Sequence, residues 1–335
     1  MVSLRPSNPS SKGTKMDVKF ISVIVPAYNE EAYISQCLES LVSQDYPRDR
    51  YEIIVVDNDS KDTTKKIALN FDVKVIEKKS GPVGSVRNAG AKQAKGVLLA
   101  FIDADCVAPT DWLSRGSKLL LNEGHVYGGG YDLRTVPFWV EKAWLLENKE
   151  PPKDLVGGCI FIRKKDFLLA GLFDEKVTSG EDTKLSVSLR KMNFYIKMSS
   201  TLNVIHLGNP ITLKRFFLRQ IWHSENYVQN WNETKKDPTF YLVIALIISL
   251  IFFLASIPLK SHIVFYMSLS TIIVIPFIFS LKRLSRSKYL LKNIRILPSI
   301  YILDIAYLAG RVLGLSKSLW CALKPSIELK DHTEN

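Results

Sequence analysis

Two aspartates separated by one residue come directly after an apolar run. The segment VLLAFIDADCVAPTDWL starts with six mostly apolar residues, Val97 to Ile102, and continues into Asp103-Ala104-Asp105. Two carboxylates this close repel each other and each raises the pKa of the other, so a positive group is expected between them. Carboxylate oxygens suit Mg²⁺ or Mn²⁺, which completes its shell with water and phosphate oxygens. The motif therefore indicates a metal–diphosphate site, although a solvated acidic turn explains the motif alone equally well.

The elements around this motif predict a crevice at the end of a sheet. Apolar strand patterns at FISVIVPAY, YEIIVVDND, VKVIEK and VLLAFIDAD alternate with helical patterns. This alternation, with unbroken apolar strands, indicates a parallel, doubly wound α/β sheet. Ligands of such sheets bind beyond the carboxyl ends of the strands. Four residues fall at those ends and are expected to converge: Pro26, Asp57, Asp103 and Asp105.

Several alternative kinds of site are excluded by motif. The sequence contains no GxxxxGK[ST] and no GxGxxG after its first strand, which argues against a P-loop and against a dinucleotide site of that kind. Its cysteines lack paired spacing, which argues against a zinc site and a disulfide framework; they are Cys37, Cys106, Cys159 and Cys321. A nucleoside diphosphate carrying another group remains as the expected ligand.

The last third of the chain predicts a membrane anchor. Residues 239–259 and 261–281 each provide 21 residues without a formal charge, enough for a transmembrane helix. Residues 282–295 follow with six basic and no acidic residues, which places this loop and the large N-terminal domain on the cytoplasmic side by the positive-inside rule. The formal net charge of +12 needs no nucleic-acid partner, because the anionic inner leaflet accounts for the basic excess.

The remaining boundaries are less sharply marked. Residues 296–315 contain Asp304 and form either a helix lying in the interface or a third membrane helix. Residues 316–335 are the tail, and residues 19–235 the catalytic domain. Residues 1–18 are polar and lack the apolar segment of a signal peptide, so a disordered leader is expected.

Three segments in their order and spacing resemble glycosyltransferase family 2. They are SVIVPAYNEEAYISQCLESLVSQDYPRDRYEIIVVDNDSKDTT, RNAGAKQAKGVLLAFIDAD and GEDTKLSVSLR, and the likeness covers about residues 20–230. The resemblance implies a GT-A fold, a mixed doubly wound sheet with a Rossmann-like nucleotide-binding half. It also implies a nucleoside-diphosphate-sugar donor, a divalent metal (Mn²⁺ or Mg²⁺) and inversion at the anomeric carbon.

The resemblance also implies roles for individual residues. Pro26, Tyr28 and Glu30 would line the nucleoside pocket, and Asp57 would meet the base or ribose. Arg87 would lie near the base and the phosphates. Asp103 and Asp105 match the metal-binding Asp-x-Asp of the family, and Asp103 would also contact the donor. Asp182 matches the general base of the Glu-Asp pair.

Two of the candidate residues keep an ordinary structural explanation. His206 ends a predicted strand and is a third metal ligand, a phosphate contact or a core histidine. Ser179-x-x-Asp182 also has the form of a helix cap. At that helix start, the positive end of the dipole is expected to lower the pKa of Asp182 and keep it ionised.

The sequence departs from the family in ways that narrow the function. Asn58-Asp59 replaces the usual Asp-Gly or Asn-Gly, and the Gln/Arg-x-x-Arg-Trp signature of processive synthases is missing. Transfer of a single sugar, by a hexosyltransferase-type enzyme, to a lipid-linked glycan or other membrane-borne acceptor is therefore expected. One alternative is transfer to polyprenyl phosphate, whose nucleophile needs no base. Another is a non-catalytic nucleotide-sugar-binding scaffold for a membrane complex.

Overall fold

The computed structural model describes residues 18–121, 123–146, 152–177, 179–225, 227–229 and 231–331. The predicted disordered leader therefore lies outside the described residues except for Val18, as do the last four residues of the tail.

A seven-stranded sheet forms the centre of the catalytic domain, in the order β3-β2-β1-β4-β8-β6-β9. Its strands are β1 (Ile21–Ala27), β2 (Tyr51–Asp57), β3 (Lys74–Glu77), β4 (Leu98–Ile102), β6 (His125–Gly128), β8 (Cys159–Arg163) and β9 (Tyr195–Met198). The first four strands are parallel, as their unbroken apolar runs predicted. Strand β8 is antiparallel to both of its neighbours, so the complete sheet is mixed, as a GT-A fold requires.

Nine helices accompany this sheet before the long C-terminal helices begin, and six of them cover its two faces. The nine are α1 (Ile34–Val42), α2 (Thr64–Ala68), α3 (Val83–Gln93), α4 (Trp112–Leu119), α5 (Trp139–Trp144), α6 (Lys164–Leu169), α7 (Glu181–Lys191), α8 (Leu213–Ser224) and α9 (Trp231–Thr234), counted over the described residues. Apolar residues of α1, α2 and α4 form a core with one face of the sheet. Those of α3, α6 and α7 form a second core with the other face. The alternation of side chains along β1 explains the division: Val23 enters the first core and Ile24 the second.

A second sheet of three short strands joins distant parts of the chain beside the end of β4. It consists of β5 (Cys106–Val107), β7 (Tyr131–Asp132) and β10 (Val204–His206), in the order β5-β10-β7. Strand β10 is antiparallel to β5 with His206 opposite Cys106. This pairing brings a residue from the end of the catalytic domain next to the Asp-x-Asp turn.

Among the residues that the structure describes, three helical segments are long and apolar enough to cross a membrane. Two of them are α10 (Pro238–Ser256) and α11 (His262–Ser285). The ends of α10 lie within three residues of the predicted first span, and those of α11 within four residues of the predicted second span. Short α12 (Leu290–Asn293) leads into α13 (Leu297–Asp331), and residues 290–323 make up the third segment. The segment expected at 296–315 is thus part of a longer continuous helix.

The apolar C-terminal helices share a core with two helices of the N-terminal domain. Val140 of α5 and Phe216 of α8 pack with Val243 of α10 and Leu303 of α13 in one buried cluster. Gly310 and Gly314 of α13 lie so close to α8 that an added Cβ would collide with it. The C-terminal helices are therefore packed directly onto the N-terminal domain.

Candidate functional site

The Asp-x-Asp motif lies where β4 leaves the core. All five residues of β4 are buried, and the chain turns at Asp103 to enter β5. Both aspartates are partly buried, which excludes the simple solvated turn that the motif alone allowed. The strand ends beside them form a cavity of about 340 Å³. Its lining includes Pro26, Tyr28, Glu30, Asn58, Arg87, Asp103 and Asp105.

His206 lies beside Asp105 because of the pairing between β10 and β5. Its Nε2 is 3.5 Å from Oδ2 of Asp105. Ligand atoms of Asp103, Asp105, Cys106 and His206 all lie within 4.8 Å of one another. Gly208 is required nearby, since a side chain at that position would clash with the Asp105 carboxylate. The three residues suggested as metal ligands from the sequence are thus adjacent in space.

Cys106 differs chemically from the other three members of this group. Burial and then the Asp105 carboxylate raise the pKa of its thiol well above the usual value. Its Sγ donates a hydrogen bond to Asp105 Oδ1 at 3.7 Å. Since the thiolate is the form that binds metals, and Mg²⁺ and Mn²⁺ prefer oxygen, the donor set is two carboxylates and one imidazole.

Arg87 is buried between two carboxylates. It donates to Asp103 Oδ1 at 2.6 Å and to Glu181 Oε1 at 2.5 Å. Burial alone would lower the pKa of Arg87, but Asp103 and Glu181 raise it above the usual value. The Arg87 guanidinium thus balances charge on Asp103 and Glu181, while the positive group expected between Asp103 and Asp105 stays a prediction.

The negative charge of the acidic side chains in the cavity is only partly balanced by Arg87. Burial, followed by the Asp105 and Asp103 carboxylates, raises the pKa of Glu30 to about 8. Burial also raises the pKa of Asp105, although His206 acts in the opposite direction. Burial and the mutual repulsion of the carboxylates thus both disfavour their ionised forms.

Asp182 lies at the first turn of α7. Its Oδ2 accepts a hydrogen bond from the Gly157 amide at 3.0 Å and its Oδ1 accepts one from Thr183 at 2.7 Å. Burial and the adjacent Glu181 raise the pKa of Asp182, while these two amides oppose the rise. The expectation that its position at the helix start would lower the pKa was therefore wrong, because loss of solvation outweighs the dipole.

The loop Gly157-Gly158 connects Asp182 to the Asp-x-Asp motif. A Cβ at Gly157 would meet the Arg87 guanidinium, and one at Gly158 would meet the Asp103 carboxylate. Both glycines are therefore needed for close approach of the backbone. A larger cavity of about 760 Å³ also touches α7, at Thr183, Lys184, Val187 and Ser188. Helical spacing puts those residues on the side of α7 away from Asp182.

The structure brings together most, but not all, of the candidate residues. Pro26, Tyr28, Glu30 and Arg87 line the same cavity as the two aspartates. Asp57 is buried behind this lining, where its Oδ2 accepts from the Ser60 amide at 3.3 Å, and its neighbour Asn58 reaches the cavity instead. Glu181, the second partner of Arg87, was not predicted from the sequence, although its place in the Glu-Asp pair was an available signal.

Comparison with known proteins agrees with this architecture. Residues 22–169 match the model of glycosyl transferase family 2. The glycosyltransferase AglE of Haloferax volcanii is 41% identical over 117 residues, covering 33% of this chain and 38% of that protein. A Methanococcus voltae transferase is 34% identical over 103 residues, covering 29% of this chain and 32% of that protein. It is named a dolichyl N-acetyl-α-D-glucosaminyl phosphate 3-β-D-2,3-diacetamido-2,3-dideoxy-β-D-glucuronosyltransferase. The chain thus matches well under half the length of either relative.

One solved structure has the same overall fold. The mannosyltransferase PcManGT of Pyrobaculum calidifontis, solved with GDP-mannose and Mn²⁺, superposes with a TM-score of 0.56. The superposition covers 90% of this chain and 87% of that one at 18% identity. This likeness establishes a GT-A-like mixed α/β fold that extends over the C-terminal helices.

Proposed function

We propose that this chain is a member of glycosyltransferase family 2 and that it transfers one sugar from a nucleoside diphosphate to a membrane-borne acceptor, with inversion at the anomeric carbon. One observation carries the proposal. The Asp103 and Asp105 carboxylates and the His206 imidazole meet at the mouth of a cavity formed by the strand ends. That arrangement suits a metal-bound diphosphate next to its nucleoside.

The donor set fits a divalent cation of the Mn²⁺ or Mg²⁺ type. Asp103, Asp105 and His206 would hold it, and a bound cation would offset the mutual repulsion of the Glu30, Asp103 and Asp105 carboxylates. The bound ion would neutralise the charge that develops on the leaving diphosphate. The relative solved with Mn²⁺ and GDP-mannose gives this assignment further support.

The rest of the donor would occupy the cavity of about 340 Å³. Pro26 and Tyr28 offer an apolar edge and an aromatic ring for the base, and Asn58 a polar group. Asp57 would act indirectly, by fixing the turn that presents Asn58. Arg87 would position Asp103 instead of binding phosphate freely, since both of its terminal nitrogens already bond carboxylates.

Asp182 would act as the general base. An acceptor hydroxyl oxygen would form a bond to the anomeric carbon while the bond from that carbon to the diphosphate oxygen breaks. Asp182 would take the hydroxyl proton, and the nucleoside diphosphate would leave with the bonding electron pair. A positioned base contributes about 10²–10⁴-fold to such a step. The backbone amides of Gly157 and Thr183 would hold the carboxylate in place.

The acceptor would be a lipid-linked glycan. The catalytic domain shares a core with the membrane helices, which keeps the site near a bilayer surface. The relative from Methanococcus voltae is named for action on a dolichyl phosphate-linked sugar. We place the domain on the cytoplasmic side because residues 282–295 are strongly basic.

Helix α13 would lie at the interface and not cross the membrane. Its Gly310 and Gly314 pack on α8 of the catalytic domain. From Leu297 this leaves about a dozen residues for the membrane, fewer than the roughly 20 that a span needs. Both termini would then be cytoplasmic.

A second candidate is transfer to polyprenyl phosphate. The observation that favours it is the environment of Asp182, which bonds two backbone amides and has a raised pKa. These features also describe a structural carboxylate. A phosphate nucleophile is already an anion, so Asp182 would then only hold the loop at Gly157.

Mass spectrometry of lipid products tests the proposal. Membranes carrying the full-length chain or its Asp105→Ala variant would be incubated with a panel of nucleotide sugars and Mn²⁺. We expect one hexose or hexosamine to be added to a lipid-linked glycan only with the unmodified chain. Addition to polyprenyl phosphate would favour the second candidate. Metal-dependent nucleotide binding without any product would identify a non-catalytic scaffold.

A further inference from the structure

Arg283, at the end of membrane helix α11, joins three parts of the protein. Its guanidinium bonds the Asp304 carboxylate of α13, and Nη2 donates to the carbonyls of Ala143 at 2.8 Å and Trp144 at 3.1 Å. It also lies 4.8 Å from the Trp144 ring centroid. Because the last carbonyls of a helix lack partners within the helix, this cation caps the C-terminal end of α5.

The opposite end of α5 is fixed by a second ion pair. Glu141, only 2% exposed, accepts from the Phe138 amide at 3.0 Å through Oε2. Its Oε1 accepts from Arg134 Nε at 3.0 Å. Helix α5 has only six residues, so the two arginines hold both of its ends.

From Arg134 the contacts continue to the Asp-x-Asp motif. Its Nη2 donates to the Leu207 carbonyl at 2.7 Å, and the Leu207 amide donates to the Asp105 carbonyl at 2.7 Å. Leu207 lies between His206 and Gly208, which both lie against the Asp105 carboxylate. A continuous series of polar contacts thus runs from Asp304 to the residues around Asp105.

We infer that Arg283 is a positioning residue for the metal site: it transmits the packing of the membrane helices through α5 and Arg134 to the loop 206–208. The inference rests on the proposed function, since it assumes that Asp105 and His206 bind the metal. Its physical basis is burial. Asp304 and Glu141 are almost fully enclosed, so water cannot replace a missing partner, and α5 must shift instead. The loop that sets the spacing of Asp105 and His206 would shift with it.

The test compares two arginines at the same end of α11. Full-length Arg283→Gln and Arg286→Gln would be placed in phosphatidylethanolamine–phosphatidylglycerol nanodiscs. Arg286 is exposed and serves as the control for loss of one positive charge. Free Mn²⁺ would be measured by electron paramagnetic resonance in the presence of UDP or GDP. We expect Arg283→Gln to weaken Mn²⁺ binding about 2- to 30-fold, the range seen for coupling through packed networks, and Arg286→Gln to leave it unchanged.

A second variant keeps the test decisive if Arg283→Gln fails to fold. Arg134→Gln changes the same series outside the membrane helices and should weaken Mn²⁺ binding to a similar degree. The double variant should resemble either single variant, because residues in one network are not additive. Retained Mn²⁺ affinity in Arg134→Gln, or additive losses in the double variant, would overturn the inference. Absence of Mn²⁺-dependent nucleotide binding in the unmodified chain would instead overturn the proposed function.

Discussion

The buried carboxylates at the edge of the sheet differ from the buried carboxylate among the C-terminal helices. The difference is how far neighbouring groups balance their charge. At the sheet edge, Glu30, Asp103 and Asp105 surround a cavity. Among the described residues, Arg87 forms ion pairs there with Asp103 and Glu181, and the His206 imidazole lies 3.5 Å from the Asp105 carboxylate. The raised pKa values of Glu30 and Asp105 reflect burial first and then the repulsion between neighbouring carboxylates.

Among the C-terminal helices, Asp304 of α13 is fully buried, and both of its carboxylate oxygens accept hydrogen bonds. One oxygen accepts from Arg283 and the other from the Ser280 hydroxyl at 2.8 Å. An ionisable residue in a membrane segment is a functional candidate by default. Here its partners account for both oxygens, so the residue has a structural explanation. The comparison indicates that a buried carboxylate without a balancing charge has a role in binding a ligand. A buried carboxylate whose charge is balanced has a structural role.

Removing the Asp105 carboxylate, whose charge is only partly balanced, should have the largest effect on nucleotide binding and turnover. Asp105→Ala should abolish metal-dependent nucleotide binding, because the cation loses a ligand, and lower turnover by more than about 10²-fold. Calorimetry of UDP and GDP with and without Mn²⁺ would measure the binding. Asp72→Ala, a change at an exposed aspartate, is the control. Equal nucleotide affinity with and without metal in the unmodified chain would remove the metal from the proposal.

The next largest effect is expected at Asp182. Asp182→Asn preserves shape and one acceptor oxygen, so the free energy of unfolding should change by about 1–2 kcal/mol. Transfer should fall by about 10²–10⁴-fold with little change in donor affinity, since a base acts mainly in the transition state. Initial rates and donor titrations separate the two quantities. Asp174→Asn, on the exposed loop before α7, is the matched control, and near-normal transfer by Asp182→Asn would favour the phosphate acceptor.

The parts of the molecule that the sequence predicted are those set by local pattern. The strands β1 to β4 follow from their apolar runs, and the GT-A-like mixed α/β fold was confirmed. The position of His206 beside Asp105 could not be derived, because it depends on pairing between β10 and β5, about 100 residues apart. The sharing of Arg87 by Asp103 and Glu181 is likewise a long-range contact.

Two expectations failed or were incomplete for an energetic reason. The dipole argument for Asp182 considered only its helix and omitted burial by Gly157 and its surroundings. For residues 296–315, which the sequence left as either an interfacial helix or a third membrane helix, Asp304 was considered without its partner. Its partner Arg283 belongs to another helix, and the pair allows burial.

For the Arg283–Asp304 pair, the free energy of unfolding should depend on whether one or both residues are replaced. No such dependence is expected for the carboxylates at the edge of the sheet. Asp304→Leu alone leaves Arg283 buried without its partner and should lower the free energy of unfolding by about 3–5 kcal/mol. Adding Arg283→Met should recover most of that loss, because an apolar pair fills the space without a charge. Thermal unfolding in nanodiscs would give both values. If the double variant is no more stable than Asp304→Leu, the pair has a role other than neutralising its own charge.

The smallest expected effect is on the pH dependence of stability. The direction of this dependence distinguishes a metal site from a cluster of acidic residues that binds no metal. The folded chain raises the pKa of Glu30 from 4.5 to about 8, so the protonated form favours folding. In the metal-free protein, Glu30 should therefore make its full contribution to stability below about pH 4.5. This contribution should be lost as the pH rises through 8. Bound Mg²⁺ offsets the repulsion, so it should raise the melting temperature more at pH 8.5 than at pH 6.5. Because Glu30 is partly solvated, we expect a difference of only about 2–4 °C, measured by differential scanning fluorimetry.

Glu30→Gln should remove most of this pH dependence while leaving stabilisation by Mg²⁺. A melting temperature that Mg²⁺ raises equally at both pH values would show that Glu30 does not sense the cation.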